Sequence, residues 1–303
     1  MILKKREKPQ ELILYELLET RKTLNTEERK KYNKLKKGYE GECMFDSYTN
    51  NLSNDARVIN DLLLLQNERL FQIDSLILVN HQLFLFEIKN FIGEFYFEGG
   101  DFYKEPGYEI ENPLIQLKRS HSLLKRFLQD KKSTIQIHPY VAFVNPECTI
   151  YQVPRKNSII LPTQIIPFFK RFSKTNIKSN EKNLMNQLLT AHQSDYIINH
   201  PPVYSLAELK KGIVCENCGS LETEISNQYL YCNNCQTKED ATKAIVRTIE
   251  AYATLFPTSA ITTKQIENWC GYTVTSNRIY RVLQRYYHPR GKNRWIYYTR
   301  QQT

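Results

Sequence analysis

Alternating apolar and polar residues dominate the chain between residues 57 and 104, and this period of two predicts β-strands. The apolar positions are rich in β-branched and aromatic side chains, and turn-forming residues separate the runs. We predict strands at 57–65, 71–79, 82–88 and 93–98, with a weaker strand at 101–104.

Helical patterns flank these strands. Thr26, followed by charged residues, opens a helix over 27–50, and Asn112-Pro113 supplies an N-cap and an N1 proline for a helix to about Gln129. The other predicted elements are a helix at 10–21, strands at 135–144 and 158–161, and helices at 163–172 and 181–195. Helix, antiparallel strands, helix and strand in this order predict an α+β fold.

A chain of 303 residues is long for one domain, and Pro201-Pro202 marks a change in composition. We predict an N-terminal domain over 1–200, which includes the helix at 10–21 and has its core at about 35–145. The predicted segments after it are a linker at 201–212, a cysteine-rich knuckle at 213–238 and a basic region at 241–303.

The two strands around Asn80-His81 predict a β-hairpin, because this pair is turn chemistry between alternating runs. A symmetric loop places Asp74 opposite Glu87 and Gln72 opposite Lys89. Glu87 and Lys89 share a face because side chains alternate along a strand. Two facing carboxylates repel unless a cation or a shared proton lies between them. The hairpin therefore predicts a metal ion with an ammonium group beside it.

This constellation suits phosphodiester hydrolysis. Carboxylates that hold Mg²⁺ neutralise charge and bind the attacking water, and a lysine adds positive charge at the reacting group. One or two carboxylates are a usual protein contribution to a magnesium site. The alternative is a surface strand with a local ion pair between Lys89 and Glu87, although the neighbouring residues are strongly apolar.

Four short motifs resemble the NERD family, the nuclease-related domain, which is similar to the PD-(D/E)XK nucleases. In order they are GYEGE, QID, EIKN and NPLIQ, at residues 38–42, 72–74, 87–90 and 112–116. The resemblance covers about residues 35–145, with a weaker continuation over 145–200. It implies a restriction-endonuclease-like αβββαβ core. The chain departs from many such nucleases in having Ile73 where they have proline before the aspartate.

Carried over by position, the resemblance makes Asp74 and Glu87 the metal-binding acids, with Mg²⁺ or Mn²⁺ as the catalytic ion, and Lys89 the catalytic lysine. Glu42 corresponds to the helical acid, Gln116 to a polar residue near the lysine, and the carbonyl of Ile88 to a further ligand. From the residues alone, Glu42 is also readable as an exposed helix charge and Gln116 as a partner of backbone groups. We assign structural roles to the histidines His81, His121 and His138.

Two CxxC pairs lie 13 residues apart in the knuckle, and four thiolates complete a closed tetrahedral Zn²⁺ site. They are Cys215, Cys218, Cys232 and Cys235. The segment resembles a zinc ribbon, in which the zinc is structural. Two disulfides or free thiols are the alternative, and a reducing compartment disfavours the disulfides.

Positive charge is concentrated in the last 63 residues, which hold ten basic and two acidic residues of a chain whose net charge is +10. Helices are predicted at 241–255, 263–269 and 275–287, followed by a basic tip and a strand at 295–298. The third helix has an inward face of Ile279, Val282, Leu283 and Tyr286. The region resembles a winged helix-turn-helix. Its candidate nucleic-acid contacts are Arg278, Arg281, Arg285, Arg290, Lys292 and Arg294.

Hydrophobic residues make up 41% of the chain, enough for a core, and no run of 18 apolar residues or signal-peptide pattern is present. We expect a soluble cytoplasmic protein without a membrane partner. The leading hypothesis is a metal-dependent nuclease that acts on double-stranded DNA. The alternatives are a DNA-binding protein that keeps the nuclease fold as a scaffold, and an interaction protein with a protein partner or a second copy of itself.

Overall fold

The computed structural model describes residues 1–50, 52, 56–155, 158–172, 178–193, 201–292 and 295–300. These residues form two compact units. Unit 1 comprises Met1–Pro9 and Asn33–Ile198, and unit 2 comprises Gln10–Tyr32 and Asn199–Thr303.

The strands within unit 1 are β1 (Ile2–Lys4), β2 (Arg57–Gln66), β3 (Arg69–Val79), β4 (Gln82–Lys89), β5 (Gly93–Glu98), β6 (Asp101–Lys104), β7 (Tyr108–Ile110), β8 (Ile137–Phe143), β9 (Cys148–Tyr151) and β10 (Ile159–Ile160). Those of unit 2 are β11 (Thr223–Ser226), β12 (Tyr229–Cys232), β13 (Lys238–Asp240), β14 (Tyr287–Arg290) and β15 (Tyr297–Arg300). The helices are α1 (Gln10–Arg21), α2 (Thr26–Thr49), α3 (Pro113–Asp130), α4 (Ile165–Lys170), α5 (Ser179–Thr190), α6 (Ala241–Leu255), α7 (Thr263–Trp269) and α8 (Ser276–Tyr286).

A mixed sheet forms the centre of unit 1, with six strands in the described residues and the order β1-β2-β3-β4-β8-β10. β2, β3 and β4 are antiparallel neighbours, whereas β1 is parallel to β2, and β8 is parallel to both β4 and β10. A smaller sheet has the order β7-β6-β5-β9. The mixed α+β prediction is confirmed, and the parallel pairs and the short strands β1, β7 and β9 are additions to it.

Both faces of the large sheet are covered, which explains the nearly continuous apolar sequence of β4. One buried cluster joins Leu83 and Leu85 to Leu124 of α3, and the other joins Phe84 and Phe86 to Phe45 of α2. Alternation along β4 therefore directs Glu87 and Lys89 to the α3 side of the sheet. Asn112 starts α3 as its N-cap, accepting a hydrogen bond from the backbone N–H of Leu114, as the sequence predicts.

Unit 2 contains the cysteine knuckle on a three-stranded sheet, β11-β12-β13, and the helices α6, α7 and α8 with the hairpin β14-β15. The predicted grouping of helix 10–21 with the N-terminal domain differs from the structure, which groups α1 with residues 199–303. Arg21 of α1 donates hydrogen bonds to the carbonyl oxygens of Lys210 and Gly212 and lies 3.8 Å from the centre of the Trp269 ring. The predicted linker is thus packed within unit 2.

The helix predicted over 275–287 ends at Tyr286, and its inward face is partly wrong. Ile279, Val282 and Leu283 are buried, but Tyr286 is exposed. Tyr287 is buried instead, because the chain leaves the helix there to begin β14, and its hydroxyl donates to Glu250. No helix in the described parts of the chain is both long enough and apolar enough to cross a membrane.

Candidate functional site

The hairpin of β3 and β4 has the predicted register, with Ser75 paired to Phe86 and Val79 to Gln82. The ladder stops there, one pair before Asp74 and Glu87, and in the described residues no ladder pair joins Gln72 to Lys89. The predicted register is confirmed from Ser75 to Val79, and the direct pairing of Asp74 with Glu87 lies beyond this ladder and stays a prediction. Two facing carboxylates repel, and Asp74 instead accepts a hydrogen bond from the backbone N–H of Ile88 at 2.8 Å.

Lys89 connects the strand to the helix α3. Its Nζ donates to Oε1 of Glu87 and to Oε1 of Gln116, each at 2.8 Å. The Glu87 side chain is almost fully buried, and the Lys89 side chain keeps 19% of its surface exposed. The structure thus brings together Glu87, Lys89 and Gln116, with Asp74 on the neighbouring strand, and the Lys89 side chain is partly exposed.

Glu42 is brought to this site by the close packing of α2 on the end of β4. A Cβ atom added to Gly41 would lie 2.3 Å from Cβ of Asn90, so a side chain at position 41 does not fit. Asn90 donates to the carbonyl oxygen of Lys37 on α2 and accepts from the side-chain amide of Asn145. The GYEGE and EIKN motifs are therefore in contact. This contact places Glu42, the residue after Gly41, near the end of β4.

Arg6 is the residue that sequence reasoning missed. Its guanidinium donates to Oε2 of Glu42 at 2.8 Å, to both carboxylate oxygens of Asp46, and to the carbonyl oxygen of Asp74 at 2.8 Å. Burial alone would lower the pKa of Arg6, but the bond to Asp46 and the nearby acids raise it above its ordinary value. Arg6 follows two lysines in the sequence, and nothing in this basic run predicts its contacts with Glu42, Asp46 and Asp74.

Burial and the closeness of other acids disfavour the ionised forms of these carboxyl groups. Burial, followed by the charge of Asp74, raises the pKa of Glu87 to about 8, and the same two causes raise that of Glu42 to about 8. Burial also raises the pKa of Asp74. These shifts persist beside Lys89 and Arg6, so the site favours an additional cation or protons.

Hard oxygen donors of this kind fit a divalent ion such as Mg²⁺. The three carboxylates are not closely grouped, however. Among the described residues, only the four cysteines bring three or more ligand atoms within 4.8 Å of one another. The carboxylates of Glu42, Asp74 and Glu87 do not form such a group, and Arg6 and Lys89 each bind one of the glutamates.

The cysteine cluster has the dimensions of a tetrahedral zinc site. Sγ of Cys215 lies 3.7 Å from Sγ of Cys235, and Sγ of Cys218 lies 3.6 Å from Sγ of Cys232. A Zn–S bond of about 2.3 Å implies an edge of about 3.8 Å in a tetrahedron. Hydrogen bonds from the side chains of Thr237 and Asn217 lower the pKa of Cys235 to about 5, which favours the thiolate that binds metal. The cluster is compatible with structural zinc.

Two similar turns build this cluster. The backbone N–H of Gly219 donates to the carbonyl oxygen of Cys215, and that of Gln236 donates to Cys232. Both turn residues directly follow the second cysteine of a pair and have positive φ, 73° and 57°. Glycine adopts this conformation without strain, which accounts for the Cys218-Gly219 sequence.

The predicted nucleic-acid contacts are distributed over α8 and the final hairpin. Arg281 and Arg285 are exposed, whereas Arg278 donates to the carbonyl oxygen of Asn227 at 2.6 Å. Arg290 and Lys292 are exposed near the hairpin turn, and Arg294 lies outside the described residues. Four of the six predicted residues are thus available to a ligand, and the first is engaged with the knuckle.

The histidines stay outside the site. Nδ1 of His81 lies 2.9 Å from Oε1 of Glu181, and the ring of His138 stacks on Phe84. His121 lies on α3, where burial lowers its pKa. Among the described residues, none of these three histidines contacts Asp74, Glu87 or Lys89.

Comparison with known proteins identifies one family. Neither the curated proteins nor the solved structures gave a significant match. Residues 37–144 match the family model described as the nuclease-related domain. This range contains Glu42, Asp74, Glu87, Lys89 and Gln116, and it excludes Arg6 and the cysteine cluster. Residues 37–144 of the chain are therefore similar to the nuclease-related domain, NERD.

Proposed function

We propose that this protein is a metal-dependent nuclease that hydrolyses phosphodiester bonds of DNA. The observation that carries the proposal is the contact of Lys89 with both Glu87 and Gln116, next to Asp74, inside the matched domain. A lysine whose ammonium is fixed by two polar partners and still reaches solvent is placed to meet a phosphate oxygen. The raised pKa values of the acids support the need for a cation.

Asp74 and Glu87 are the residues that would hold Mg²⁺ or Mn²⁺, with Glu42 as the adjoining helical acid. The ion would supply charge neutralisation and a more acidic water. Lys89 supplies a positive charge for the oxygen on which negative charge develops, and Gln116 keeps the ammonium oriented. Ile88 donates to Asp74 and so fixes the rotamer of that carboxylate.

Unit 2 is proposed to bind the duplex. The four cysteines would hold a structural Zn²⁺, which leaves no open position for substrate. Arg281, Arg285, Arg290 and Lys292 provide exposed positive charge on the winged-helix-like region, suited to phosphate contacts. The double variant Arg281→Ala, Arg285→Ala should weaken DNA binding and reduce the slope of log K against log salt by about 2. An unchanged slope would remove α8 from the interface.

A cleavage assay tests the nuclease proposal. The purified protein should cut plasmid or linear DNA with Mg²⁺ or Mn²⁺ and should be inactive in EDTA. Asp74→Ala and Glu87→Ala should abolish cutting and leave DNA affinity unchanged, since neither side chain belongs to the proposed DNA-binding region. Cutting by both variants at the wild-type rate would refute the assignment.

The alternative is a DNA-binding protein that keeps the nuclease fold as a scaffold and does not cleave. That alternative requires DNA binding at low salt without cleavage under several divalent ions and substrates. A protein with neither activity would instead fit an interaction role, in which the knuckle contacts another protein.

A further inference from the structure

The segment before the matched domain contributes to the candidate site through one side chain. Arg6 follows β1 and lies outside residues 37–144, yet its side chain is only 2% exposed. It reaches two elements at once, since Glu42 lies on α2 and Asp74 on β3.

The guanidinium is itself held in a fixed orientation. Nε and Nη2 of Arg6 donate to the two carboxylate oxygens of Asp46, at 3.0 and 3.1 Å, in the bidentate geometry that fixes the plane of the group. Asp46 lies four residues after Glu42 and so shares its helix face. While Asp46 holds the guanidinium, Nη1 of Arg6 donates to Oε2 of Glu42 and Nη2 donates to the carbonyl oxygen of Asp74.

The contact with Asp74 lies at a gap in the sheet. β2 pairs Asn60 with Ser75 and Leu62 with Ile73, and the ladder with β4 begins at Ser75, so neither ladder includes Asp74. Sheet pairing therefore does not fix the backbone at this aspartate. The hydrogen bond from Arg6 provides a fixed position for its carbonyl group instead.

We propose that Arg6, oriented by Asp46, is a positioning residue that fixes Glu42 and Asp74 relative to each other for the metal-dependent reaction. The inference rests on the proposed nuclease function, because the positioned acids are those of that site. Arg6 binds the carboxylate of Glu42 and the backbone carbonyl of Asp74, so one guanidinium links the helix that carries one acid to the strand that carries the other. A displacement of about 1 Å at such a site lowers the rate by about 100-fold.

The variants Arg6→Gln, Arg6→Lys and Asp46→Asn separate position from charge. Arg6→Gln should lower kcat on DNA by about 30- to 100-fold with KM unchanged. Arg6→Lys keeps the charge but loses the planar fork, so it should lower kcat by at least 10-fold. Asp46→Asn removes the carboxylate that orients Arg6 and should lower kcat about 3- to 10-fold. Lys5→Gln, which removes an exposed charge one residue away, should match the wild type.

A double-variant cycle tests whether Arg6 acts through the acid that it contacts. In a Glu42→Gln background, Arg6→Gln should lower kcat by less than 3-fold, since the acid on α2 that Arg6 holds relative to Asp74 is gone. Equal fold-changes in both backgrounds would overturn the proposal, as would full kcat in Arg6→Lys or a parallel loss of kcat in Lys5→Gln. If Arg6→Gln does not fold, Arg6→Lys and Asp46→Asn carry the same comparison.

Manganese binding separates this inference from the nuclease proposal. Titration of Mn²⁺ by calorimetry should show about 3- to 10-fold weaker binding in Arg6→Lys and Asp46→Asn than in the wild type. If the wild type binds Mn²⁺ without cutting, the nuclease proposal fails, and weaker binding in these variants still supports positioning. Unchanged binding with unchanged kcat overturns the role of Arg6 alone. A wild type that neither cuts nor binds Mn²⁺ overturns both.

Discussion

The carboxylate site of unit 1 and the cysteine cluster of unit 2 are built on opposite principles. The four sulfur atoms lie within 4.8 Å of one another, and two of their separations, 3.7 and 3.6 Å, match the edge of a zinc tetrahedron. The acids of unit 1 are spread, and cations of the chain itself, Lys89 and Arg6, bind the two glutamates. A closed cluster serves structure, because it satisfies an ion completely. A spread site leaves charge and space for a substrate.

The largest effect that tests this comparison is removal of zinc. A chelator should unfold the knuckle, because a segment of this size depends on the ion for about 10 kcal/mol of its folding free energy. Cys232→Ser, at a buried ligand, should act in the same way. Hydrogen exchange should show lost protection in β11–β13 and retained protection in the sheet of unit 1.

Cys43→Ser is the matched control, because Cys43 is an exposed cysteine outside the cluster. It should leave zinc content and hydrogen exchange unchanged. Full protection of β11–β13 after removal of all metal would show that the cluster needs no ion to fold.

The second test uses pH in metal-free protein. An acid whose pKa is raised on folding has no effect on stability below its unfolded pKa, about 4.5, and destabilises increasingly as pH rises to its folded pKa, about 8 for Glu42 and Glu87. We expect each glutamate to lower the free energy of unfolding by on the order of 3 kcal/mol between pH 5 and 8. Denaturant unfolding at several pH values measures this loss.

Two changes should flatten that dependence. Glu87→Gln removes one titrating group, and saturating Mg²⁺ supplies the missing positive charge, so both should raise stability most at pH 8. A stability that increases between pH 5 and 8 without metal would contradict the electrostatic account of the site.

Much of the site was predictable from residue order, and the reason is local chemistry. The turn at Asn80-His81 and the period of two fix the register, and the caps fix α3 with Gln116 in its first turn. Contacts between distant segments were not predictable. Arg21 meets Lys210 and Gly212 across about 190 residues, and Arg6 meets Asp74 across 68. A lone arginine has no periodicity to reveal such partners.

The end of the β3–β4 ladder was also unpredictable, for a different reason. Alternation predicts that pairing continues through Asp74 and Glu87, but it contains no information on repulsion between their charges. In the structure the ladder ends at Ser75 and Phe86, and the carboxylate of Asp74 accepts the backbone N–H of Ile88.

The third test concerns Lys89. Lys89→Met keeps the length of the side chain and removes its charge, so kcat should fall about 100-fold with DNA affinity unchanged. Gln116→Leu, which removes only the orienting acceptor, should lower kcat by about 10-fold. Steady-state cleavage kinetics measure both, and equal effects of the two variants would contradict the separate roles of charge and orientation.

The smallest effect concerns the packing that brings Glu42 to the site. Gly41→Ala places a Cβ atom 2.3 Å from Asn90 and should destabilise unit 1 by about 1–3 kcal/mol and lower kcat, because α2 must move away from β4. Gly38→Ala is the matched control on the same helix, since its Cβ would meet no atom within 4 Å. It should stabilise the protein by about 0.5–1 kcal/mol, the usual gain in helix propensity. A loss of kcat without loss of stability in Gly41→Ala would show that the carboxylate site depends on how closely α2 approaches β4. The cysteine cluster is assembled by its own two turns, so its metal content should be the same in both variants.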